Sequence, residues 1–185
     1  MHCKAFNLRK YIMVTLAIVL GLLTGGCNMI KPENYQQKEP TLILQNYFLG
    51  SVTGYGMVQN RSGEVTRRFV VDMKGYWEKD HFILNENFVF DDGEKQHRIW
   101  NFTGLTAHHF SGTAADVTGI AEGTQAGNAI NMKYVLQVPV NGKHYDINMD
   151  DWLFSVDKKV LLNRANMKKF GFTVGSITAS FYKND

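Results

Sequence analysis

Through most of this chain after Val65 the apolar residues recur at every second position, and that period of two most tightly limits what it can fold into. A strand sends successive side chains to opposite faces, so the period marks sheets with one buried face. Residues 65–73, 82–90, 98–102, 130–140, 145–154 and 172–182 all carry it. Turn chemistry separates them: Asn60-Arg61-Ser62-Gly63, Asp91-Asp92-Gly93, Asn141-Gly142 and Asp157-Lys158. Asn-Gly between two alternating runs is a strong hairpin signal. Residues 41–48 (TLILQNYF) suit either a short helix or a first strand. Residues 112–127, rich in small side chains, suit two short strands with a bulge or a loop over a barrel mouth. No segment after residue 48 sustains a helical period. About eight to ten strands in succession, joined without helical crossovers, predict an all-β domain. The expected form is an antiparallel meander closing into a lipocalin-like β-barrel, with a β-sandwich as the alternative.

The N-terminus follows a different logic. Lys4, Arg9 and Lys10 precede an apolar run from Ile12 to Leu23, then Thr24, Gly25 and Gly26 lead to Cys27. Basic, apolar and small residues in that order make a secretory signal. The run is about half of the ~20 residues a membrane-spanning helix needs. The region before Cys27 resembles a bacterial lipobox, although Thr24 stands where an aliphatic residue is usual. Cys3 would leave with the signal, so Cys27 would be the one cysteine kept, at a position where a disulfide could staple nothing. Lipidation at Cys27 is the expectation, since several acyl chains together make a durable anchor. Asn28 replaces the Asp that resembles an inner-membrane retention signal, which points to the outer membrane. The organisation expected is a signal peptide over 1–26, a lipidated polar tether over 27–40, and one barrel domain over 41–185 on the periplasmic face of the envelope.

The formal charge of +3 belongs to the leader. All 17 acidic residues follow Cys27, whereas three of the 20 basic ones precede it, so the mature chain is neutral. Neutrality removes the usual motive for binding nucleic acid.

A two-residue period also assigns faces. The inward sets are Phe82, Leu84, Glu86, Phe88 and Phe90; Arg98, Trp100 and Phe102; Val65, Arg67, Phe69, Val71 and Met73; and Tyr145, Ile147, Met149, Asp151 and Leu153. In the run from Ile130 the inward set is apolar apart from the Tyr134 hydroxyl. An inward charge must be paired or solvated, because isolation costs several kcal/mol. Glu86 and Arg98, on successive strands, are the first candidate pair. Three readings stay open: interior ion pairs closing one barrel end, an arginine meeting a ligand carboxylate or phosphate, or a register slip that turns these charges outward. On the second reading Arg67, Glu86, Arg98, Trp100, Tyr134 and Asp151 form the ligand site.

Other chemistries lack their residues. His108 and His109 are neighbours and would diverge in a strand, while His81, His97 and His144 stand alone, so no metal site is expected. No nucleotide, phosphate or nucleophile-elbow motif is present, and no cofactor is implied. Gly54-Tyr55-Gly56 is better suited to a bulge or close packing than to a dinucleotide.

A string of short motifs runs from about residue 41 to 182: Tyr47-Phe48-Leu49-Gly50, GEVTRRF from Gly63, FDDG from Phe90, Arg98-Ile99-Trp100 and Asp116-Val117-Thr118-Gly119. It continues with Gly127-Asn128-Ala129, Asp150-Asp151-Trp152, Asn163-Arg164 and KFGFTVG from Lys169. In this order they resemble an uncharacterised bacterial lipoprotein family, domain of unknown function 3833. The resemblance implies a lipid-anchored protein in the company of lipid-modifying enzymes, and it carries over no catalytic residue.

Three functions are compatible with these residues. The first is a binding module for a fatty acid or similar amphiphile, with Arg98 or Arg67 at the head group. The second is a non-catalytic envelope scaffold with a filled barrel and an outer face for a partner. The third is a lipid- or cell-wall-acting enzyme using Asp151, Glu86 or Asp116 as acid or base.

Overall fold

A computed structural model describes residues 30–140 and 142–184. The expected signal peptide and Cys27 lie outside the described residues. Ten antiparallel strands follow one another: β1 (Gly50–Asn60), β2 (Val65–Glu78), β3 (His81–Phe90), β4 (Lys95–Thr103), β5 (His109–Thr113), β6 (Val117–Ala126), β7 (Ala129–Val140), β8 (Lys143–Ser155), β9 (Val160–Lys169) and β10 (Phe172–Lys183). Each pairs with the next, and β1 pairs with β10 along Val52–Asn60, so the meander closes into a barrel. Closure removes the sheet edges that a sandwich would leave, and the sandwich alternative is excluded.

The alternation does what the sequence requires of it. In β2, Phe69, Val71 and Met73 are buried, while the alternate residues Val70, Asp72 and Lys74 are exposed. Val140 pairs with Lys143, so β7 and β8 are joined by a two-residue link in which Gly142 takes φ 75°. Stretch 112–127 resolves into the end of β5 and into β6, whose register shifts between Thr118 and Glu122. Gly54 and Gly56 serve close packing. A Cβ on Gly54 would lie 2.5 Å from the Phe181 ring, and one on Gly56 would lie 2.2 Å from the Phe69 ring.

Segment 41–48 contains helix α1 (Leu44–Phe48), which plugs one end of the barrel. Leu44, Tyr47 and Phe48 are buried in the core with Leu42. The Leu44 amide donates to Gln125 Oε1 at 3.1 Å, and the Tyr47 hydroxyl lies 2.8 Å from the Lys159 carbonyl and 3.0 Å from that of Phe181. Lys183 Nζ donates to the carbonyls of Tyr47 and Leu49 at 2.7 Å each, a cation closing the helix C-terminus. The opposite end, where the β1–β2, β3–β4, β5–β6, β7–β8 and β9–β10 hairpins turn, carries no such plug among the described residues.

The polar stretch expected as a free tether is docked from Lys31 onward. Pro32–Tyr35 form a 3₁₀ turn with Pro32 buried, and the Tyr35 ring meets those of Trp152 and Phe154 at 6.1 and 5.2 Å. The Leu42 amide donates to the Gly127 carbonyl at 2.7 Å. Pro32 and Tyr35 supply the apolar contacts of this otherwise polar segment with the barrel. Residues Lys31–Asp185 form a compact unit that contains every described strand, the plug and the whole core cluster.

Candidate functional site

Among the described residues the barrel interior is largely filled by side chains, and a cavity of about 110 Å³ remains in it. Leu44 and Phe48 floor it from the plug, and Phe69, Leu84, Phe102, Met132 and Leu153 are among its apolar walls. Glu86, Arg98, Trp100, Tyr134 and Asp151 also line it, joined by Asn163. Five of the six predicted ligand residues therefore share one space. Arg67 does not. It stands toward the open end, its guanidinium carbon 3.7 Å from the Phe90 ring centroid, paired with Asp92 and Glu94 at 3.0 Å each.

Glu86 and Arg98 face each other across β3 and β4, as their spacing suggested, with Arg98 Nη1 3.6 Å from Glu86 Oε2. That oxygen is buried and accepts no hydrogen bond from the protein. The rest of the Arg98 fork is engaged by Asp116, from the turn between β5 and β6. Nε lies 3.0 and 2.9 Å from its two oxygens, and Nη2 lies 2.7 Å from Oδ2. This is the bidentate geometry that suits a guanidinium to a carboxylate. Phe88 and Trp100 lie under the guanidinium at 5.6 and 5.9 Å.

Asp151 is held without an ion pair. Asn163 Nδ2 donates to Asp151 Oδ1, and the Tyr134 hydroxyl lies 3.3 Å from Oδ2. Trp100 and Tyr134 pack edge to face at 5.3 Å, which fixes the phenol. Its sequence neighbour Asp150 takes the outer face, as alternation demands. There it accepts from Asn131, Trp152 and Lys168 at 2.9, 3.1 and 3.2 Å.

Low polarity sets the protonation of the cavity. Burial pushes Glu86 up to about 7, with the attraction of Arg98 working against it. Burial pushes Asp151 up to about 6, against the hydrogen bonds from Asn163 and Tyr134. Burial disfavours the Arg98 cation, but Glu86 and Asp116 outweigh it and raise its pKa further. Burial likewise keeps the Tyr134 phenol well above its ordinary value. Near neutrality the cavity thus holds one permanent cation, already served by Asp116, and two carboxyl groups able to accept or donate a proton. Among the described residues no group of three or more His, Cys, Asp or Glu is placed to hold a metal ion.

Two contributors escaped the sequence reading. Asp116 appeared there as an acid or base and not as the partner of Arg98, since nothing local links a turn after β5 to a residue on β4. Asn163 carried no signal beyond its place in the Asn163-Arg164 motif.

A closed ten-stranded meander with a small polar cluster in an apolar interior is a barrel of the lipocalin-like class. The chain belongs to the family described as "Protein of unknown function (DUF3833)", which it matches over residues 21–183. In structure it is similar to the S-type phycobiliprotein lyase CPES from Guillardia theta, at 7% identity and a TM-score of 0.56, over 84% of this chain and 99% of that one. It is also similar to Rv2717c from M. tuberculosis, at 13% identity and a TM-score of 0.54, over 75% of this chain and 94% of that one. At such identities the likeness concerns the fold alone. Among curated proteins none matches the chain in sequence.

Proposed function

We propose that this protein is a lipid-anchored binding module for an amphiphile of fatty-acid type, seated head-inward in the barrel. The observation that carries the reading is the convergence of Glu86, Arg98, Tyr134, Asp151 and Asn163 in one otherwise apolar cavity, with Glu86 Oε2 lacking a hydrogen-bond donor. Buried polar atoms are ordinarily satisfied, so an unsatisfied one facing a cavity supports a ligand group there.

Two features shape the ligand. A cavity of about 110 Å³ is well below the 300–1,000 Å³ of sites for drug-sized molecules, so it takes a head group and a short stretch of chain. A longer tail must leave through the unplugged end, past Phe88, Phe90, Met167 and Ile177, which are only partly buried. A carboxylate head would take the place of Asp116 on Arg98 and accept a hydrogen bond from Glu86, which keeps its proton up to about pH 7. Asp116 is 39% exposed on a turn at that end, so it can turn to water once the ligand carboxylate replaces it on Arg98. Native mass spectrometry of detergent-purified protein should then show a co-purifying lipid mass that Arg98→Met loses. Protein that stays at its bare mass and takes up no fluorescent fatty acid would end this reading.

A second reading, the envelope scaffold, draws support from the outer surface. Leu162, Ser180, Tyr55, Val70 and Val89 form one lateral row of outward residues across β9, β10, β1, β2 and β3. Part of a groove of about 790 Å³ runs along it. Cross-linking through this row, with an empty cavity, would favour the scaffold. The anchor and its address are part of the same proposal: Cys27→Ser should abolish incorporation of labelled palmitate and release the protein from outer-membrane fractions.

A further inference from the structure

The string KFGFTVG is unused by the cavity, and its conformation is unusual. Lys169 pairs with Phe172, so Phe170 and Gly171 alone make the β9–β10 turn, and both have positive φ, 49° and 81°. That tight turn normally takes Asn-Gly or Asp-Gly, because a bulky side chain resists the left-handed region. Here it takes a phenylalanine that is 86% exposed, followed by Phe172 at 67%. Neither backbone geometry nor core packing accounts for this choice, and strain of this kind points to function.

The neighbouring hairpin adds to the same lip. Pairing of β8 with β9 ends at Asn148–Lys168, whereas β7 and β8 stay paired out to Val140–Lys143. Val140 and Tyr145 are therefore exposed beyond the barrel wall, at 45% and 43%. Lys169 Nζ ties the two hairpins by donating to the Asp146 carbonyl at 2.7 Å, and it lies 5.1 Å from the Phe170 ring centre. Lys168 is spent on Asp150, which leaves Lys143 and Lys169 against the single carboxylate of Asp146 at these two tips, while Asp91, Asp92 and Glu94 of the β3–β4 turn at the same end are paired with Arg68 and Arg67.

We infer that these two hairpin tips dock the unplugged end of the barrel on a lipid surface bearing anionic head groups. Separate projecting rings flanked by lysines suit a soft interface. The rings enter the head-group boundary while the ammonium groups remain among the phosphates. A rigid protein partner would instead call for a contiguous flat or concave patch. The inference stands apart from the cavity's ligand, although an amphiphile moving between bilayer and cavity would pass this lip.

The test uses residues 31–185, which hold every described strand and the whole core cluster, with folding verified by far-UV circular dichroism, so that no acyl group contributes to binding. Flotation with phosphatidylethanolamine vesicles containing phosphatidylglycerol should recover the protein, less so at high salt and less so with neutral phosphatidylcholine. Phe170→Asn with Phe172→Thr should lower partitioning by about tenfold or more, the worth of burying aromatic rings. Phe170→Asn alone should keep or raise Tm, because Asn suits the turn, so lost binding cannot be blamed on misfolding. Failure of the wild type to float, or equal flotation of the variant, would overturn the inference. So would Phe170-dependent self-association in place of vesicle binding, which would make the lip a contact between copies of this chain.

Discussion

Glu86→Gln keeps the side chain's volume and removes its charge, so the pH dependence of stability reads out what burial does to this carboxyl. Burial raises it to about 7 from an ordinary 4.5, with Arg98 pulling the other way. A carboxyl with a raised folded pKa keeps its proton longer in the folded state, so wild-type stability falls as pH climbs from about 4.5 to about 7. Integrated between about pH 5 and about pH 8, the wild type loses about 2–3 kcal/mol that E86Q does not lose. For a domain of this size that is about 5–10 °C in Tm. The lowered Asp91, Asp92 and Asp150 titrate in both proteins and cancel in the comparison, whereas Asp151, whose charge also raises Glu86, is partly relieved in E86Q and flattens that profile further. Thermal and urea unfolding followed by far-UV circular dichroism supply the two profiles. They should converge in acid and separate toward alkaline pH, with E86Q the flatter. Parallel profiles with a constant offset would refute the placement of a desolvated carboxyl in this cavity.

Three further outcomes follow from the same geometry. Arg98→Met strands Glu86 without a cation and should cost about 3–5 kcal/mol in urea unfolding near neutral pH, part of which the double variant with Glu86→Gln should restore. Gly56→Ala drives a methyl into the Phe69 ring and should cost about 1–3 kcal/mol, with the loss relieved by Phe69→Leu. Tyr47→Phe removes the single hydroxyl donor that the Lys159 and Phe181 carbonyls share at the plugged end. It should cost about 1–3 kcal/mol and raise hydrogen exchange at the ends of β9 and β10.

Local pattern by itself determined a good deal. Strict alternation in β2, β3, β4 and β8, with turn residues at the right intervals, determined the meander, its hairpins and the inward face of Glu86, Arg98 and Asp151. It also predicted the Glu86–Arg98 partnership, because two residues on successive strands joined by one hairpin meet through local geometry. Tertiary structure decided the rest. β1, β6 and β9 were hard to see because their inward positions include Gly54, Gly56, Gly123, Gln125, Asn163 and Ala165, which break an apolar period. Aromatic rings such as those of Phe181, Phe69 and Phe110 fill the space those glycines leave. Only the closed barrel could choose between helix and strand for 41–48, carry Asp116 to Arg98 and Asn163 to Asp151, and leave Arg67 to the turn acids Asp92 and Glu94. Alternation is a property of one strand and its neighbour, whereas which side chain fills a volume or satisfies a buried charge depends on the strands that closure brings around it.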